Sequence, residues 1–226
     1  MILNLTESFL LLALDSNKGK FLIDSIALNY GLAGAALMKL TILKKIQIRD
    51  RKVVVIDHSL TGTQYFDEVL GMIRSSRRHR TVKYWVNRLG NRLKKLKYKV
   101  IGKLIMQGVL KEEKRKFLGI IPYKVYPATN RVPKEELRSK MLRMIRGAES
   151  IDAKHLMLLS LLESTKLTRV LFDSRAEYKK WRKTVKELVK EFEVSDVVHT
   201  TIREVCATVV AASTSATVSA SAGEPS

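Results

Sequence analysis

The sequence predicts a mostly α-helical fold carrying one or two small β-hairpins. Three observations lead there. Apolar residues recur at spacings of three and four along most of the 226 residues, only two short runs alternate in the manner of strands, and prolines number four. With 46% apolar residues the chain can build a sizeable core.

Thr6 is placed to cap a short apolar helix that begins at Glu7. After a turn at Asn17-Lys18-Gly19, residues 21–45 read as one or two helices. Gly31, Gly34, Ala33, Ala35 and Ala36 suggest close helix packing there. Ile46 to Arg49 and Val53 to Ile56, joined by Asp50-Arg51-Lys52, read as a hairpin. Leu60 to Thr63 is a loop. Phe66 to Ser75 is a helix with Phe66, Val69, Leu70 and Ile73 on one face.

Residues 74–103 hold twelve Lys/Arg and no acid. Beneath that charge runs a helical stripe of Val82, Trp85, Val86, Leu89, Leu93, Leu96, Val100 and Leu104. The expectation is a helix docked by its apolar side, with a cationic outer surface. A second hairpin follows over Phe117 to Tyr126, its apolar tip flanked by Lys114, Arg115, Lys116 and Lys124. Pro133 suits a helix start, and apolar periodicity continues through Leu137, Met141, Leu142, Ile145 and then Leu156 to Leu162. Ser174 and Glu177 form a capping box for a helix over 175–192. A last helix covers 195–212, which sets a helical domain at 1–212 and a disordered, low-complexity tail at 213–226.

The charge balance of +20 calls for a polyanionic partner, either nucleic acid or an acidic membrane surface. One cysteine excludes a disulfide framework and points to a reducing compartment. No secretory leader, bilayer span or lipidation motif is expected, so membrane contact would be peripheral. His58, His79, His155 and His199 share no metal-ligand spacing, and Cys206 reads as a buried structural thiol. Asp67 and Glu68 are adjacent, which suits capping better than paired acid–base work. No phosphate loop or nucleophile elbow is present, so neither enzyme activity, nor a cofactor, nor a metal is expected.

A membrane reader needs long cations beside an exposed greasy wedge, and Leu118, Ile120 and Ile121 next to Lys/Arg supply both. The alternative is a nucleic-acid-binding protein using the same basic helix. That helix offers few Asn, Gln or Ser side chains to read base edges. The 117–126 hairpin could equally pack on another subunit in a homo-oligomer.

Several segments resemble the Golgi phosphoprotein 3 family. They are Leu5 to Leu14, Gly31-Leu32-Ala33-Gly34, Thr61-Gly62 followed by Asp67-Glu68, Gly108-Val109-Leu110 leading into Phe117-Leu118, and Glu204-Val205 through Ala212. The likeness runs in register from about residue 3 to 213. It implies a compact helical domain around a central four-helix bundle with a protruding hairpin. It also implies a peripheral membrane adaptor that binds phosphatidylinositol 4-phosphate and the cytosolic tails of membrane proteins. The place expected is the cytosolic face of the Golgi in a eukaryote, or the inner face of the plasma membrane in a prokaryote. Two family arginines, three apart, correspond to Lys94 and Lys97, with Arg92 beside them; charge survives, the bidentate fork does not. The inserting hairpin pair falls on Phe117 and Leu118, with Ile120 and Ile121 next to it. Of two further headgroup contacts, an arginine position holds Ala33 and a tryptophan position falls near Leu22 or Asp24.

Overall fold

Asn4, not Thr6, opens the first helix. The computed structural model describes residues 2–92, 94–118, 120–191 and 196–221, with the backbone alone at 91, 92, 94, 95, 117, 191 and 215–221. Helix α1 spans Leu5–Leu12. The Asn4 side chain accepts from the backbone N–H groups of Thr6 (3.0 Å) and Glu7 (3.1 Å), and the Glu7 carboxylate accepts from Asn4 N–H at 2.8 Å. That closed capping box places the start two residues before the expected cap, and Thr6 lies buried inside the helix.

Helix α2 (Ser25–Ile42) is the axle of the structure and packs on α1. Asp24 caps it, accepting from Ile26 N–H (2.8 Å) and Ala27 N–H (2.9 Å). Its small residues serve close approach, as the sequence suggests. A Cβ on Gly31 would lie 2.2 Å from the Phe9 ring, and one on Gly34 would lie 2.9 Å from Val205. The segment Gly31 to Gly34 lies in the middle of the helix. Among the described residues α2 is the helix long and apolar enough to cross a membrane, yet 67% of it is buried inside the protein.

Strands β1 (Ile46–Arg49) and β2 (Lys52–Val55) pair antiparallel with Ile46 opposite Val55. Asp50 (φ 48°) and Arg51 (φ 59°) form the two-residue turn, both in the left-handed region such tight hairpins require. Helix α3 (Gln64–Arg74) buries Tyr65, Phe66, Val69, Leu70 and Ile73, the face read from the sequence with Tyr65 added. Helices α4 (Val82–Arg92) and α5 (Lys94–Met106) carry the basic stretch. The apolar stripe Val82, Trp85, Val86, Leu89, Leu96, Val100 and Leu104 is buried as its spacing predicts, while Leu93 lies outside the described residues.

Strands β3 (Glu113–Phe117) and β4 (Ile121–Val125) form the second hairpin. Helix α6 (Val132–Ile145) follows, with Pro133 in its first turn, and α7 (Ala153–Ser164) is apolar almost all round and buried accordingly. After a short 3-10 turn come α8 (Arg175–Glu191) and α9 (Asp196–Ser221). Helix α9 lies against α2, α4 and α7, and α2 touches α4 and α7 as well. It runs past residue 212 to Ser221, and on the way the Ser213 hydroxyl donates to the Val209 carbonyl at 2.8 Å. Residues 222–226 lie outside the described residues.

Candidate membrane-docking surface

The hairpin β3–β4 is rooted in the loop that leaves α1. Asp15 shapes that loop by accepting from Asn17 N–H (2.9 Å) and Lys18 N–H (2.8 Å). The Lys18 bond, chiefly, holds its carboxyl below the ordinary aspartate value. Gly19 adopts φ +66°, and a Cβ there would meet the Pro127 nitrogen at 2.4 Å. This close approach lets Tyr126 N–H donate to the Gly19 carbonyl and Ala128 N–H to the Ser16 carbonyl, each at 2.9 Å. The root is thus fixed by backbone bonds to a loop more than 100 residues away in sequence.

Alternation sorts the hairpin into two faces. Lys114 sits opposite Lys124 and Lys116 opposite Pro122, with all three lysines exposed. Glu113, Arg115, Tyr123 and Val125 share the face turned towards the protein, where Val125 is buried. At the far end the apolar side chains have nothing to cover them: Leu118 is 79% exposed, Ile120 81% and Ile121 60%. Leu118 also holds φ +49°, a backbone region that costs a leucine about 1 kcal/mol or more. The Phe117 side chain lies outside the described residues; its backbone pairs with Ile121.

Behind the hairpin a groove of about 450 Å³ opens between the Gly19–Phe21 segment and β4. Lys20 and Lys124 stand on it, and Phe21, Tyr123 and Tyr126 give it an aromatic wall. Lys20 lies 5.1 Å from the centre of the Tyr123 ring. From α5, Lys97 places its ammonium 5.6 Å from the Phe21 ring centre and 4.8 Å from that of Tyr98. Lys124 is paired with Glu112 at 2.8 Å, which raises its pKa. The structure therefore brings Lys97 beside the groove at the hairpin's root. The side chains of Lys94 and Arg92 lie outside the described residues.

A family model for Golgi phosphoprotein 3 (GPP34) matches residues 5–207. The chain belongs to the Golgi phosphoprotein 3 family. This is a family of Golgi-associated proteins. Vacuolar protein sorting-associated protein 74 of Schizosaccharomyces pombe is 24% identical over 164 residues, which is 63% of this chain and 48% of that protein. The match thus covers about half the length of that relative.

Two positions singled out within the Golgi phosphoprotein 3 pattern are not placed to touch a headgroup. Ala33 is fully buried in the middle of α2, and Asp24 is spent capping that helix. Leu22 is 49% exposed. The acid-free stretch is not a uniform cationic face either. Lys99 is paired with Glu68 of α3, and Lys103 with Glu7 of α1. Arg80 and Arg88 lie against Tyr84 instead, with Arg88 donating to its hydroxyl at 3.1 Å. Distant segments supply the neutralising acids that the local sequence lacks.

The groove residues Lys20, Phe21 and Tyr123, and Tyr98 beside Lys97, were not singled out by the sequence. The signal was a lysine–aromatic pair directly after Gly19, meaningful only once Gly19 is seen under Pro127. Elsewhere, Asp67 accepts from Thr61 N–H (2.6 Å) and its hydroxyl (2.7 Å), a loop-closing role. Burial pushes the Cys206 thiol up to about 12, against a weak opposing bond from Ser164. Among the described residues, no group of three His, Cys, Asp or Glu side chains is arranged to hold a metal.

Proposed function

We propose that the chain is a peripheral membrane adaptor that docks reversibly on anionic phospholipid headgroups. The ligand is of the phosphoinositide type, by family likeness phosphatidylinositol 4-phosphate. Docking runs through Lys97, with Lys94 and Arg92 in the same basic stretch, and through insertion of Leu118, Ile120 and Ile121 with Phe117 beside them. The observation that carries this reading is the uncovered apolar hairpin tip above a groove flanked by Lys20, Lys97 and Lys124. Burying a leucine or isoleucine contributes about 1.5–3 kcal/mol, and each cation near an anionic surface about 1 kcal/mol. The sum suffices for reversible attachment without a lipid anchor.

Membership of a Golgi-associated family supports placing the adaptor on the cytosolic face of that organelle. The sorting-associated relative supports a role in linking membrane to protein cargo, such as the cytosolic tails of membrane proteins. The test is sedimentation with phosphatidylcholine vesicles, with and without phosphatidylinositol 4-phosphate or phosphatidylserine, at low and high salt. Leu118→Asp should abolish pelleting, and Lys97→Glu should remove the dependence on anionic lipid. Pelleting of both variants at the wild-type level overturns the proposal. Leu118→Asp that lowers the molar mass seen by light scattering, while pelleting persists, assigns the tip to contact between copies instead.

A further inference from the structure

We propose that a second cavity, between β2, the end of α3 and the start of α4, is a binding site for a phosphate monoester. It encloses about 210 Å³ and shares no residue with the hairpin groove. Ligand pockets for drug-sized molecules run to about 300–1,000 Å³, so this one suits a single small anion. Arg74 and Arg78 line it together with His58 and His79, and among the described residues no acidic side chain does. Neither arginine is in an ion pair with a described residue. Cations gathered around one cavity without a counter-charge repel one another, and a bound dianion removes that cost. Arginine forks match phosphate oxygens in a bidentate way that lysines cannot.

Trp85 also lines the cavity. Trp85 is 1% exposed, yet its indole N–H has no hydrogen-bond acceptor among the described residues. An indole is a donor only, and leaving it buried and unmade costs about 1–3 kcal/mol. The walls are held in advance of any ligand. Val53 N–H donates to the Arg80 carbonyl and Val82 N–H to the Arg51 carbonyl, each at 2.9 Å, with Lys52 bridged to Thr81. These bonds tie the segment after α3 to the first hairpin.

The shared chemistry is a phosphate monoester, carried either by a lipid headgroup or by a soluble molecule. The experiment reads Trp85 fluorescence in a Trp181→Phe background, which leaves Trp85 as the sole tryptophan. Inorganic phosphate is titrated against chloride at equal ionic strength. A saturable change with phosphate alone is expected. Arg74→Gln with Arg78→Gln should weaken it at least about tenfold, as loss of two charge-assisted bonds requires. Both arginines are exposed, so the folded state survives, and circular dichroism verifies it.

Vesicles of phosphatidylcholine with phosphatidylinositol 4-phosphate form the second arm. The same change with these vesicles assigns the phosphate to lipid, and its restriction to inorganic phosphate assigns a soluble ligand. A response matched by chloride, or one that survives the double substitution, overturns the site.

Discussion

Lys103 in α5 sets its ammonium 2.8 Å from the carboxylate of Glu7 in α1. Glu7 is only 1% exposed and also accepts from Asn4 N–H at 2.8 Å and from the Tyr65 hydroxyl at 3.2 Å. Burial and the Glu7 charge hold the Tyr65 phenol in its protonated form. Lys103 is therefore a structural cation despite its place in a basic run. Lys103→Met should cost about 3 kcal/mol because it strands a buried carboxylate, whereas Lys97→Met should cost under about 1 kcal/mol. Urea unfolding of the two variants checks this, and equal losses contradict it.

Asp57 makes a contribution to the fold that depends on pH. It accepts from Lys45, 2.5 Å away, and from Ser59, and the Lys45 bond foremost holds its pKa down at about 2. A depressed folded value means the contribution to stability is complete above the ordinary aspartate value of 3.8 and is lost as pH falls towards 2. NMR titration of the Asp57 carboxyl carbon should show a midpoint near 2, moving up towards 3.8 in Lys45→Met.

Two glycines make a paired test of helix packing. Gly31→Ala drives a methyl into the Phe9 ring and should destabilise by about 1–3 kcal/mol. Gly71→Ala, in α3 with nothing within 4 Å of the added carbon, should stabilise by about 0.5–1 kcal/mol. Thermal melts of opposite sign are the expected result.

Leu118 separates folding from docking. Its φ of +49° suits glycine, so Leu118→Gly should leave the melting temperature unchanged or raise it. The same variant should lose vesicle pelleting, since one inserting side chain is gone. A variant that binds vesicles like wild type contradicts the docking role of this residue.

Cys206 should resist alkylation at pH 8 in the folded protein, because a thiol with a pKa of about 12 holds almost no thiolate there. Mass spectrometry should find it labelled only after denaturation.

Much of this fold was legible from spacing. The stripe from Val82 to Leu104 and the face of α3 follow from the helical period, and the first hairpin follows from alternation; the second, expected over 117–126, starts at Glu113, because its basic first strand carries no apolar alternation. Local capping was legible in part. Ser174 takes Glu177 N–H at 3.0 Å as expected, but the Glu177 carboxylate reaches Asp173 N–H, one residue earlier than a capping box demands. Pairing across the chain was not legible. Nothing near Lys99 or Lys103 announces Glu68 or Glu7, because those contacts exist only once α1, α3 and α5 are packed together. The exposed tip could be read from composition, whereas the groove behind it needed the backbone bonds between Gly19 and Tyr126.

Those bonds at the foot of the second hairpin make it a spur welded to the body rather than a hinged arm. Pressure applied at Leu118 travels through β3 and β4 to Gly19 and Ser16 and so into α1, whose residues are buried throughout. Whatever surface the spur meets, the angle of contact belongs to the whole molecule: the protein must lean with its tip.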